Sequence, residues 1–250
     1  MLEICCFSLE SCLTAQKAGA YRVELCGGMF EGGTSPSAGL IKLARQNLTI
    51  KLYVMIRPRG GDFCYSESEF EVMKEDIQTA KELGADGVVF GLLNPDGSVD
   101  MPRTKELVEL AHPMKVTFHR AFDVSAEPFE ALETIIDLGC ERILTSGQKN
   151  NVTEGLDLLR ILAEKAGNRI EIMAGGGVTA KNAAQLLEAG VHALHMTGKG
   201  IVNSQMQYRK DDVSMASAVL TNEFEMYEAD FSKCLAVANI IATENIKLNK

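Results

Sequence analysis

At 250 residues, 46 % of them hydrophobic, the chain is long enough to bury one large core, and its formal net charge of −9 sets an acidic surface that disfavours nucleic acid as a partner. No apolar run reaches the roughly 18 residues that cross a bilayer, and Met1-Leu2-Glu3-Ile4 carries neither a basic stretch nor a signal-like apolar core. The expected setting is therefore the cytoplasm, with no membrane partner. Seven scattered cysteines, without a C-x-x-C, suit reduced thiols better than a disulfide framework or a zinc ribbon.

Leu2–Cys6 is an apolar run of strand length. Four later segments then repeat one pattern: a helix end, a glycine, and a short apolar strand. They are Lys17–Leu25, Glu82–Phe90, Asp137–Thr145 and Glu188–His195. Glycine ends a helix in the left-handed conformation at little cost, so this is the chemistry of a helix-to-strand loop. The glycines lie about 50 to 65 residues apart, roughly twice what one strand–helix unit needs. Ile50–Ile56, Met114–Phe118 and Arg169–Met173 fill the gaps as further strands. Phe70–Leu83, Phe129–Leu138 and Leu156–Ala163 show apolar spacing of three and four, which predicts helices. The pattern predicts an α/β fold, a single-domain (β/α)₈ TIM-like barrel over residues 1–250. The repeats occupy 1–200. Residues 201–250 lose the pattern and are expected to form a C-terminal helix or tail, available for subunit contact.

In such a barrel, function collects on the loops after the strands. Side chains alternate along a strand, so Glu3 shares a face with Cys5, and Glu24 with Cys26. Glutamates in apolar strands should point into the barrel, toward arginines, rather than into the helix layer. That places both thiols inward near the mouth. Two soft thiolates suit a soft cation such as Cu(I), with His119, His195 or Met55 as further ligands. The competing reading is that both cysteines are small apolar fillers, and that Glu3 and Glu24 belong to an internal ion-pair network.

A second set of residues suggests an anion. Gly175, Gly176 and Gly177 follow the seventh strand and precede a helix expected near Thr179, an arrangement whose amides can cradle a phosphate. Thr197, after the eighth strand, and Ser146, after the sixth, would complete the cup. Arg57, Arg59 and Arg120 bring positive charge to the rim, and His119 or Glu24 could transfer a proton. Residues 60–65 form either a lid or a capped turn. An enzyme acting on a small anionic metabolite, phosphorylated or not, is thus the alternative to a metal-binding protein, and no organic cofactor is indicated.

The strings carrying these residues resemble one family. Glu3-Ile4-Cys5, Val23-Glu24-Leu25-Cys26, Met55-Ile56-Arg57-Pro58-Arg59-Gly60-Gly61-Asp62-Phe63, Thr117-Phe118-His119-Arg120-Ala121-Phe122-Asp123 and Gly175-Gly176-Gly177-Val178 are similar to the CutC family of copper homeostasis proteins. The similarity runs through about four-fifths of the chain, in order. It implies a cytoplasmic TIM-like barrel assembled as a homodimer or higher homo-oligomer. It also implies copper homeostasis and Cu(I) binding, with Cys5 and Cys26 at the positions of the family's proposed ligands. Thr197 stands where the family pattern has serine.

Overall fold

A computed structural model of the chain describes residues 1–210, 212–213 and 222–248. Eight parallel strands close into a barrel in sequence order: β1 Leu2–Cys6, β2 Arg22–Leu25, β3 Lys51–Met55, β4 Gly87–Phe90, β5 Lys115–Phe118, β6 Arg142–Thr145, β7 Glu171–Gly175 and β8 Ala193–Met196. Closure is completed by β8 pairing with β1, with Glu3 opposite His195. The helices between strands are α1 Leu9–Lys17, α2 Ala38–Asn47, α3 Glu67–Glu82, α4 Met101–Ala111, α5 Pro128–Asp137, α6 Leu156–Ala166 and α7 Ala183–Glu188.

Local chemistry explains most boundaries. Ser8, Ser37 and Ser66 cap α1, α2 and α3 by accepting a backbone N–H with their hydroxyls, and Glu69 closes a reciprocal capping box with Ser66. The glycines of the four repeats, 19, 84, 139 and 190, all sit at positive φ between 79° and 88°, which ends each helix and turns the chain into the next strand.

The strands divide their side chains between two environments. Outward residues such as Ile4, Val23, Leu52, Val88, Phe118 and Ile172 pack against the helices in one continuous apolar layer. Inward residues form two small apolar clusters. Cys5, Cys26, Tyr53, Met55 and Val89 make one, and Leu144, Met173 and Ala193 the other. Between and below them lie buried charges. Arg142 pairs with Glu141 at 2.6 Å and Glu171 at 2.9 Å near the strand N-termini, and Tyr53 donates to Glu141 at 2.7 Å. The mouth at the strand C-termini is left open.

After β8 the chain makes an antiparallel hairpin, β9 Lys199–Asn203 with β10 Glu225–Ala229, and then α8 Phe231–Leu248. The helix expected in this region is present, but the hairpin is an addition to a stretch read as helix or tail. Its two strands are more than twenty residues apart in sequence, so no local turn signal announces them. Residues 211, 214–221 and 249–250 of that stretch lie outside the described residues. α8 packs between α7 and α1 and so completes the ring of helices. No helix among the described residues is long and apolar enough to cross a membrane.

Candidate functional site

The inward face of β1 and β2 delivers the thiols. Register sets Cys5 beside Glu24, and the chain continues inward at Cys26. The two sulfurs are 3.7 Å apart, and the Cys26 thiol donates to Glu24 Oε2 at 3.5 Å. His195, across the β8–β1 seam, has Nδ1 at 2.7 Å from Glu3 Oε1 and Nε2 at 3.7 Å from Glu24 Oε2. Glu3 is also bonded to the Arg22 guanidinium. Two groups of potential ligands result, with atoms within 4.8 Å of one another: Cys5, Glu24 and Cys26, and Glu3, Glu24 and His195.

The two glutamates meet opposite electrostatics. Burial tends to raise the Glu3 pKa, but the Arg22 cation and the His195 bond overcome it and hold the carboxyl at about 2. Glu24 has no arginine partner, and burial beside Cys5 pushes it well above the usual carboxylate range. The expected ion-pair network is therefore met by Glu3 and not by an arginine at Glu24. The hydrogen-bond contact with Cys26, aided against burial by His195, lowers the Cys5 thiol to about 6. Burial and the same bond push the Cys26 thiol up. For His195 burial works to lower the pKa, but Glu24, Cys5 and Glu3 around it raise it well above its ordinary value.

Above the thiols lies a mouth cavity of about 490 Å³, within the range of small-molecule sites. Cys5, Glu24, Arg57, His119, Arg120 and His195 line it, as do Gly176, Gly177 and Thr197. Cys26 does not. Gly33 packs over its sulfur, and a Cβ at Gly33 would lie 3.3 Å from Sγ.

The residues expected to hold an anion are not all brought together. Arg59 is turned away from the cavity and spends its donors on Glu69 at 2.6 Å, Asp62 at 3.0 Å and three carbonyls of its own loop. Those bonds make residues 60–65 a capped turn. Arg120 reaches the cavity but is paired with Asp123 at 2.7 Å and donates to Ser146. Ser146 is buried and donates to Asp123 at 2.9 Å. Asp123 is the organiser that sequence reasoning passed over, although it closes the His119–Asp123 string. It also accepts the backbone N–H of Ser146 and Gln148.

The helix after the three glycines starts later than expected. α7 begins at Ala183, later than the expected start near Thr179, and has six residues. Its Asn182 donates to Gly177 O at 3.0 Å and accepts the Thr179 N–H at 2.9 Å. Gly176 and Gly177 are needed for positive φ, 104° and 82°, while Gly175 is needed because a Cβ there would meet Leu144 at 2.4 Å. The proton-transfer role considered for His119 also meets a geometric obstacle. Its Nδ1 accepts the Ala121 N–H at 3.2 Å, so the ring proton is on Nε2 and no lone pair is free to act as base. Burial, with Arg57 nearby, lowers its pKa to about 3. His119 belongs to neither ligand group.

The sequence profile of the CutC family matches residues 1–200. The chain belongs to the CutC family. A CutC family protein of Bacteroides fragilis is 50 % identical over 227 residues, covering 90 % of each chain. The human copper homeostasis protein cutC homolog is 44 % identical over 234 residues, covering 93 % of this chain and 86 % of the relative. Among solved structures, a Streptococcus agalactiae protein described as copper homeostasis protein CutC superposes with a TM-score of 0.76 at 39 % identity, covering 79 % of this chain and 98 % of that one. Thiamine phosphate pyrophosphorylase of Pyrococcus furiosus, 17 % identical with a TM-score of 0.59 over 97 % of this chain and 95 % of its own, shares the barrel alone. In this CutC-family barrel the thiol pair and the buried carboxylates thus occupy the first two strands, and the arginine–histidine strings ring the cavity above.

Proposed function

We propose that this CutC-family protein binds Cu(I) through Cys5 and Cys26 and serves copper homeostasis by buffering or delivering the ion in the cytoplasm. The observation that carries the reading is the approach of the two sulfurs to 3.7 Å on adjacent strands, beside Glu24 and below an open cavity. Thiolates are the donors that favour a soft monovalent cation. With its pKa held at about 6, Cys5 is already ionised at neutral pH, so binding needs to displace the proton of Cys26 alone. The relatives' name, copper homeostasis protein, supports the same assignment. His195 is held by Glu3 and Glu24 and is a positioning group for this site rather than a ligand in the thiol cluster. Assembly as a homo-oligomer belongs to this reading and is checked by sedimentation of the purified chain.

The test is titration of the reduced protein with Cu(I) against a chromophoric Cu(I) chelator. Tight stoichiometric binding that is lost in Cys5→Ser and in Cys26→Ser is expected. Unchanged stoichiometry and affinity in Cys26→Ser would overturn the assignment and return both cysteines to a packing role.

A further inference from the structure

We infer that the mouth cavity contains a second site, independent of the thiols: a receptor for the carboxylate of a small organic acid, built on Arg57 and His119. The first observation concerns charge. Arg57 is only 6 % exposed, yet the groups its guanidinium meets are neutral: the backbone carbonyls of Glu31 at 2.7 Å, Gly33 at 2.8 Å and Gly61 at 2.9 Å, and the Tyr65 hydroxyl beside it. The other buried arginines, Arg22 and Arg142, each have a carboxylate. Among the described residues Arg57 has none. Buried charges are ordinarily paired, because an isolated one loses far more solvation than neutral dipoles return.

The second observation concerns unused donors. The Arg57 Nε–H makes no hydrogen bond of ordinary geometry, although the Tyr65 hydroxyl interacts with the guanidinium, and Nε2 of His119, which is 3 % exposed, has no acceptor. The Ala121 N–H occupies Nδ1 of that ring, so Nε2 is a donor by elimination. Both groups line the same cavity and flank the same ring. The Arg57 guanidinium carbon lies 5.1 Å, and the His119 ring centre 4.8 Å, from the centre of Phe63. Buried polar atoms in native folds nearly always have partners, so two orphaned donors around one aromatic ring in one cavity point to a missing acceptor.

The chemistry of the acceptor follows from the inventory. Water would satisfy the donors but not the guanidinium charge. One buried, uncompensated positive charge matches a monoanion better than a phosphate dianion, and a carboxylate offers an oxygen to each donor. The cavity's other cations do not change the count of buried charge, because Asp123 neutralises Arg120 and Lys199 is exposed to solvent at the rim. Phe7, Met29, Met55 and Val178 supply apolar wall for the body of the acid. Glu24 Oε1, a third unpartnered atom, belongs to the lining residue beside Cys5.

The experiment uses protein with histidine labelled with nitrogen-15, both unaltered and as Cys5→Ser/Cys26→Ser, so that no metal at the thiols can capture the probe. The probes are benzoate and butyrate, with benzamide and inorganic phosphate as comparators. Saturable shifts of the His119 nitrogen resonances with both carboxylates, in both proteins, are expected, with benzamide and phosphate at least tenfold weaker. His119→Phe keeps the ring volume and removes the donor, and Arg57→Gln removes the charge. Each should weaken benzoate about tenfold or more, the equivalent of one hydrogen bond to a charged group. If Arg57→Gln does not fold, His119→Phe decides. Unmoved His119 resonances, equal affinity for benzamide, tighter binding of phosphate, or full affinity in His119→Phe would each overturn the proposal. Failure of copper binding in the earlier titration leaves this result untouched, and the reverse also holds.

Discussion

Cys5 and Cys26 face each other at 3.7 Å across β1 and β2, yet only Cys5 is open to the mouth cavity. Cys26 is sealed beneath Gly33 and hydrogen-bonded to its neighbour and to Glu24. The pair therefore divides its labour: one sulfur ionises and meets solvent, and the other keeps its proton and holds the first in place. An ion entering from the mouth meets Cys5 first.

The thiolate absorbance of the metal-free protein should follow from this asymmetry. A titration in the far ultraviolet should show one thiol ionising with a midpoint near pH 6, well below the ordinary 9. The step should vanish in Cys5→Ser. In Cys26→Ser it should persist, at or below that midpoint, because a hydroxyl is a stronger hydrogen-bond donor than the thiol it replaces. A first ionisation near 9 in the unaltered protein would show that the hydrogen bond between the two sulfurs does not form.

Glu3 ties Arg22 and His195 together inside the barrel. Glu3→Gln should lower stability at pH 7 by about 3–5 kcal/mol, because it strands buried cations without a counter-charge. Denaturant unfolding measures it. The pH dependence has a definite sign. The folded pKa of Glu3, about 2, lies below its ordinary 4.5, so its contribution is present above pH 4.5 and is lost as pH falls toward 2. The variant should lack that part of the acid limb.

His119 acts in the same pH direction for a different reason. Its pKa falls from 6.5 to about 3 through burial, reinforced by Arg57, so between those values the unfolded chain binds a proton that the folded chain refuses. Stability should decline by up to about 1.4 kcal/mol per pH unit across that window on acidification. His119→Gln, which cannot titrate, should flatten the curve between pH 6.5 and 3. An unchanged slope would mean that the ring reaches solvent and protonates in the folded state.

Gly91 and Gly139 separate two reasons for glycine. A Cβ at Gly91 would lie 2.6 Å from His119 Nδ1 and 2.9 Å from Ala121, so Gly91→Ala should cost about 1–3 kcal/mol by overpacking and displace the ring. Faster amide exchange at Ala121 would report the displacement. Gly139 has nothing within 4 Å of such a Cβ, but its φ is +79°. Gly139→Ala should cost about 1–2 kcal/mol from backbone strain. Asparagine, which tolerates that conformation, should recover much of the loss at Gly139 and none at Gly91.

What the chain determined locally was legible in its order of residues. The glycine-to-strand repeat announces the barrel because glycine's left-handed turn is a property of one residue, and alternation along a strand sends Cys5 and Cys26 inward by geometry alone. The same arithmetic separates the helix-facing apolar layer from the polar interior. The tertiary structure decided what depends on distant neighbours. Arg57 and Arg59 are two residues apart, and nothing in that spacing says that one faces the cavity while the other is absorbed by Asp62 and Glu69. Glu3 and Glu24 look alike in their strands. His195 touches both, and one is ionised while the other is pushed toward neutrality because Arg22 reaches the first alone. Helix, strand and turn come from energies between residues near in sequence, whereas charge state and access at the mouth come from long-range contacts made when the barrel closes.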